Sequence, residues 1–114
     1  MEISQINLMN EIKTLQTWSG YAEFKYSGSV AGGTTIPIYG YQRVLISASH
    51  YESLLDRFRG CTVDLGASFK PSGGSLGEWL RSNVTKTKIA AQVGAILIAE
   101  GYGERVGKAG IKIF

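Results

Sequence analysis

The chain has 114 residues, of which 44% are apolar and only 18% charged; this is one domain's worth of sequence with enough apolar side chains for a packed core, and it excludes a disordered chain. Twelve Lys and Arg against nine Asp and Glu give a net charge of +3, which permits a polyanionic partner without demanding one. One Cys and one His exclude an internal disulfide and a zinc site of three or four nitrogen and sulfur ligands.

In chain order, residues 2–17 place Leu8, Ile12 and Leu15 on one stripe with Ile6 and Met9 beside it, and that spacing predicts a first helix. Trp18 docks near its end and Ser19-Gly20 stops it. Residues 20–28 alternate Ala22, Phe24 and Tyr26 with Tyr21, Glu23 and Lys25, the pattern of a half-buried strand. After the glycine-rich loop 27–33 comes a strand over 34–40, in which Pro37 lacks an N–H and belongs at an edge or bulge. A third strand over 41–47 turns Val44 and Ile46 to one side.

Residues 49–60 read as a helix. Ser49 and Glu52 have capping-box spacing, Leu54, Leu55 and Phe58 form its buried side, and Gly60 stands where a left-handed cap is wanted. A strand over 61–69 follows, with Cys61, Val63 and Leu65 on one side. Ser75 and Glu78 repeat the box and open a short helix, 76–83. Thr85 is expected to cap a third helix, 86–100, striped by Ile89, Val93, Ile96 and Leu97. Gly101 ends it, and the chain turns into a last strand, 111–114. The predicted order is α-β-β-β-α-β-α-α-β: a single α+β domain over 1–114, with a mainly antiparallel four- to five-stranded sheet and packed helices.

The N-terminus has no basic stretch leading into an apolar run, and nothing approaches the length of a membrane span. With one cysteine, a cytoplasmic location is expected and no membrane contact. His50 at the start of a helix and Cys61 past its end lie roughly 16 Å apart at helical rise, too far for a nucleophile pair. Cys61 reads as a small buried residue and His50 as a surface residue at a helix start. No D-x-D-x-D-G run or phosphate-loop ending occurs. The reading is therefore non-enzymatic, with no cofactor, metal site or catalytic residue assigned.

Two features suggest binding. Five of the six tyrosines fall within residues 21–51, and tyrosine is enriched at interfaces. The expected helix 86–100 is apolar nearly all round, with Ala91, Ala95 and Ala99 on a second side that lets another element or subunit approach closely. Tyr21, Tyr39, Tyr41, Ala91, Ala95 and Ala99 are the candidate protein-binding residues, in an adaptor acting through a protein partner or as a homodimer. The rival is a nucleic-acid-binding regulator. From residue 67 onward, Lys70, Arg81, Lys86, Lys88, Arg105, Lys108 and Lys112 face only Glu78, Glu100 and Glu104. Helices 75–83 and 85–100 with a hairpin over 102–114 would make a winged helix, using Lys86, Lys88, Gln92, Lys108 and Lys112. A small-ligand pocket near His50 is a further alternative.

The blocks VLISASHYESLLDRFRGCTVDLG (44–66), GSLGEWL (74–80) and VGAILIAEGYGE (93–104) resemble a group of small bacterial proteins encoded by integron mobile gene cassettes. The resemblance spans about residues 39–102. It implies a cytoplasmic bacterial protein and carries no assigned activity or functional residue.

Overall fold

The alternation of apolar and polar side chains over residues 12–47 becomes four strands. A computed structural model describes residues 11–38, 40–68 and 70–114. Strands β1 (Ile12–Gln16), β2 (Glu23–Ser29), β3 (Gly33–Pro37) and β4 (Arg43–Ser47) form an antiparallel sheet in that order. Helix α1 (Ala48–Phe58), strand β5 (Thr62–Asp64), and helices α2 (Leu76–Asn83) and α3 (Ala90–Ala99) follow. A hairpin of β6 (Gly103–Val106) and β7 (Gly110–Ile113) then joins β5 in a second antiparallel sheet, ordered β5-β7-β6.

Period-two alternation decides which face of the first sheet is covered. Phe24 and Tyr26 of β2, Thr34 and Ile36 of β3, and Val44 and Ile46 of β4 turn inward, while Lys25, Pro37, Arg43 and Leu45 turn outward. Tyr51, Leu54 and Phe58 of α1 are buried, and α1 packs on β3 and β4. Helix α3 packs on β1, β6 and α2, and buries Ala90, Val93, Gly94, Ile96 and Leu97. One core joins these residues to Leu65, Leu76, Leu80, Ile111 and Ile113.

Two polar ties fix the parts together. Glu100, the residue after α3, accepts hydrogen bonds from Tyr26 Oη at 2.7 Å and from the Val30 amide at 2.9 Å. Lys13 Nζ lies 3.8 Å from the same carboxylate. At the hairpin tip, Trp18 Nε1 donates to the Lys108 carbonyl at 2.7 Å. Arg105 stacks 4.6 Å over the Trp18 ring and donates to the Trp18 and Lys108 carbonyls.

The α+β class and the four-stranded antiparallel sheet match the sequence reading; the order matches in part. The expected helix 2–17 is a strand where it is described, at Ile12–Gln16, and residues 2–10 lie outside the described residues. Ile12 and Leu15 suit a helical stripe, but pairing of Ile12 with Ser27 and Leu15 with Phe24 extends the sheet instead. The last segment is the hairpin over 102–114 expected in the winged-helix alternative and not a single strand over 111–114: Val106 pairs with Gly110 across a turn whose Gly107 has a φ of 65°. The sheet strands therefore divide between two sheets.

Capping also differs in detail. The N-cap of α1 is Ser47, whose Oγ accepts from the His50 amide at 3.0 Å, while His50 Nδ1 accepts from the Ser47 amide. His50 thus holds the box position expected of Glu52. Ser75 caps α2 as expected, accepting from the Glu78 amide at 3.1 Å, but Glu78 reaches back to the Gly74 amide. Thr85 caps no helix: its Oγ1 accepts from the Thr87 amide at 3.1 Å in a turn, and α3 begins at Ala90 with no side-chain cap. Cys61 is exposed, not buried.

Candidate functional site

Pairing between β2 and β3 is confined to Ser27 with Thr35, Gly28 with Thr34 and Ser29 with Gly33. The earlier half of β2 pairs with β1 alone, and the later half of β3 with β4 alone. Pro37 has no N–H to offer a neighbouring strand, and it stands where the β2–β3 ladder has already stopped. The ladder ends there, and two depressions lie beside its end, with Lys25, Pro37 and Gln42 lining both.

The outer depression, about 270 Å³, lies on the uncovered face of the sheet beside Tyr41 and Arg43. The inner one, about 850 Å³, runs from Phe24 and Ile38 to Lys86, Lys88, Ala91 and Gln92. A third, about 290 Å³, continues past Lys86, Thr87 and Lys88 to Lys70 and Arg81. The first two share Lys25, Pro37 and Gln42 and the last two share Lys86, Thr87 and Lys88, so the three adjoin and are together called the cleft.

Several elements build it. The Val84–Ile89 connection carries Lys86 and Lys88 because the Thr85–Thr87 turn delays the start of α3. Helix α2 is held against residues 65–66 by the Gly77 amide, which donates to the Leu65 carbonyl at 2.8 Å. A Cβ at Gly77 would collide with the Gly66 backbone, so glycine permits the close approach that sets the wall of the third depression. Tyr41 stands in the β3–β4 turn, closed by the Ile38 amide donating to the Gln42 carbonyl at 2.9 Å, and is 99% exposed.

Charge is segregated. Among the described residues, Lys25, Arg43, Lys70, Arg81, Lys86 and Lys88 line the cleft, half of the chain's twelve cations, against one acid, Glu23. A concave surface lined by one sign of charge concentrates counter-ions of the other. The first turn of α3 adds the positive end of a helix dipole at the junction between two of the depressions. The lining offers ammonium and guanidinium groups, the Thr87 and Ser68 hydroxyls and one carboxylate, a donor set that holds anions.

The residues singled out from sequence distribute unevenly. Lys86, Lys88 and Gln92 line the cleft, though the two lysines sit in a loop and not on a helix. Lys108 and Lys112 line none of the three depressions; Lys112 stands on β7 opposite Glu104. Tyr41 joins the cleft, while Tyr21 is 95% exposed and does not line it. Tyr39 lies outside the described residues. Ala91 lines the inner depression, Ala95 is half-buried and Ala99 exposed. The small side chain of Ala91 thus makes room for a groove in the chain's own surface. His50 is engaged in its cap, and the Cys61 thiol donates to the Arg59 carbonyl.

Lys25, Arg43, Lys70 and Arg81 were not among the residues singled out. Lys70 and Arg81 belong to the basic excess after residue 67, which was the available signal. Lys25 and Arg43 lie in a near-neutral half of the sequence and enter through the placing of β2 and β4 beside the end of the β2–β3 ladder.

Among the described residues, no three His, Cys, Asp or Glu side chains cluster as metal ligands, and no helix is long and apolar enough to cross a membrane. In comparisons with protein-family models, curated proteins and solved structures, nothing matches the chain.

Proposed function

We propose that the chain is a small, non-enzymatic nucleic-acid-binding protein that holds a phosphate backbone along the cleft. The observation that carries this reading is the gathering of Lys25, Arg43, Lys70, Arg81, Lys86 and Lys88 in three adjoining depressions, where Glu23 is the one acid among the described lining residues. Remaining cations are outnumbered by acids, so the modest net charge hides a local field strong enough to steer a polyanion. The winged-helix form of this idea draws less support. Its recognition helix would be α3, which is buried on most of its surface, and base reading in the major groove requires an exposed polar face.

The adaptor reading rests on Tyr21, Tyr41 and the alanine face. The sheet's outward side does carry exposed Ile12 and Leu45. Yet α3 is packed on β1 and β6 of its own chain, and Tyr41 is flanked by Lys25 and Arg43, company that suits an anionic partner better than an apolar one.

The test is fluorescence anisotropy with labelled oligonucleotides over a salt series. Binding should weaken log-linearly with salt, and a Lys25→Ala, Lys86→Ala double variant should flatten the slope by about 0.7–0.9 per cation removed. No binding at low salt, or binding without salt dependence, overturns the reading.

A further inference from the structure

The cleft's shape narrows the kind of nucleic acid. A duplex is a convex rod, read by a helix or ribbon inserted into its groove. Here the cations line depressions, and the inner one runs from β2 beside the end of the β2–β3 ladder to the first turn of α3. A concave basic surface suits a flexible single backbone better than a stiff convex rod. Single-strand binders pair such a basic groove with an aromatic platform on which a base stacks. An exposed aromatic ring stands in that position: Tyr41, 99% exposed at the β3–β4 turn, in a depression also lined by Lys25 and Arg43 and, among the described residues, by no acid.

An exposed ring on a turn needs a reason in a chain that buries Tyr26 and Tyr51 almost completely. Packing does not explain Tyr41, which is 99% exposed, whereas Phe24 and Ile38 give the inner depression apolar walls suited to the flat face of a second base. Stacking is tolerant of sequence because every base has a π-face.

We infer that the ligand is single-stranded nucleic acid, its phosphates following Arg43, Lys25, Lys86 and Lys88, with a base stacked on Tyr41. This rests on the nucleic-acid reading above and adds strandedness and a stacking residue to it.

The experiment compares a labelled mixed-sequence single-stranded oligonucleotide with the duplex of the same sequence, at one low salt concentration. It uses the full chain and the variants Tyr41→Ala and Tyr41→Phe. The single strand should bind at least tenfold more tightly. Tyr41→Ala should weaken it about five- to a hundredfold without changing the salt slope, because no phosphate contact is lost, and Tyr41→Phe should restore most of the affinity. Far-ultraviolet circular dichroism checks that the variants fold, as expected for a ring outside the core. Equal binding of duplex and single strand, or a Tyr41→Ala loss under twofold, overturns the inference and leaves the nucleic-acid reading standing. Failure of both probes to bind overturns that reading itself.

Discussion

Glu100 gathers a hydroxyl, an amide and an ammonium from β1, β2 and the turn after β2, and so anchors the end of α3 to the sheet. Burial first, and then the bond to Glu100, push the Tyr26 hydroxyl far above its ordinary range. Burial likewise pushes Tyr51 up to about 12, although its contact with Thr34 pulls the other way. Both tyrosines are therefore held neutral by the fold. A folded pKa above the unfolded one gives stability that is fully present below the unfolded value and is lost as pH rises through the folded one. For Tyr51 that window runs from 10.0 to about 12. Denaturation free energies measured along an alkaline series should stay flat up to the start of that window and fall within it. Tyr51→Phe leaves the buried Thr34 hydroxyl without its 2.7 Å partner, costing about 1–3 kcal/mol at neutral pH, and should make the alkaline fall shallower. An unchanged slope would refute the assignment. None of this was legible in sequence, since Tyr26 and Glu100 are brought together only by the packing of α3. His50 teaches the same lesson in miniature. Helix spacing correctly placed a capping box near Ser49, but a start two residues earlier made His50, not Glu52, its closing member.

Among the elements, those whose patterns admit one period were readable. β2, β3, β4 and α1 fall near their expected places because alternation and capping agree there with packing. Residues 12–16 admit either period, and their strand state is decided by β2, a partner the local pattern does not contain. The start of α3 was misplaced because a Thr hydroxyl stabilises turns as readily as caps. The junction of α2 with residues 65–66 carries an element-scale prediction that reverses ordinary propensity. Alanine is favoured over glycine in a helix by up to about 1 kcal/mol, so Gly77→Ala would stabilise α2 if α2 were free. Its Cβ would strike the Gly66 backbone, and overpacking of a closed core costs about 1–3 kcal/mol. Chemical denaturation should therefore show Gly77→Ala destabilised. A variant as stable as the parent would mean that α2 and the 65–66 segment are not locked together, and that the wall of the third depression is loose.

On the scale of the whole molecule, charge was half legible. The basic excess after residue 67 is visible in the sequence, but that run treats Lys108 and Lys112 as equivalent to Lys86 and Lys88. Folding separates them. The second sheet carries Lys112 beside Glu104, and the Trp18–Arg105 stack fixes the Lys108 backbone at the hairpin tip, while the two loop lysines line a depression with Lys25 and Pro37 of the first sheet. Screening makes the distinction measurable: at 0.1 M salt the Debye length is about 10 Å, so a charge off the binding track contributes little. Lys86→Glu should weaken oligonucleotide binding at least tenfold at this salt, through a lost phosphate contact and a new repulsion. A Lys108→Glu, Lys112→Glu double variant, which changes net charge by twice as much, should stay within twofold of the parent. A winged helix demands a loss in the double variant as well, since its wing would carry those two lysines onto the backbone. Anisotropy titrations of the two variants side by side separate a cleft from a wing, because net charge alone would order them the other way.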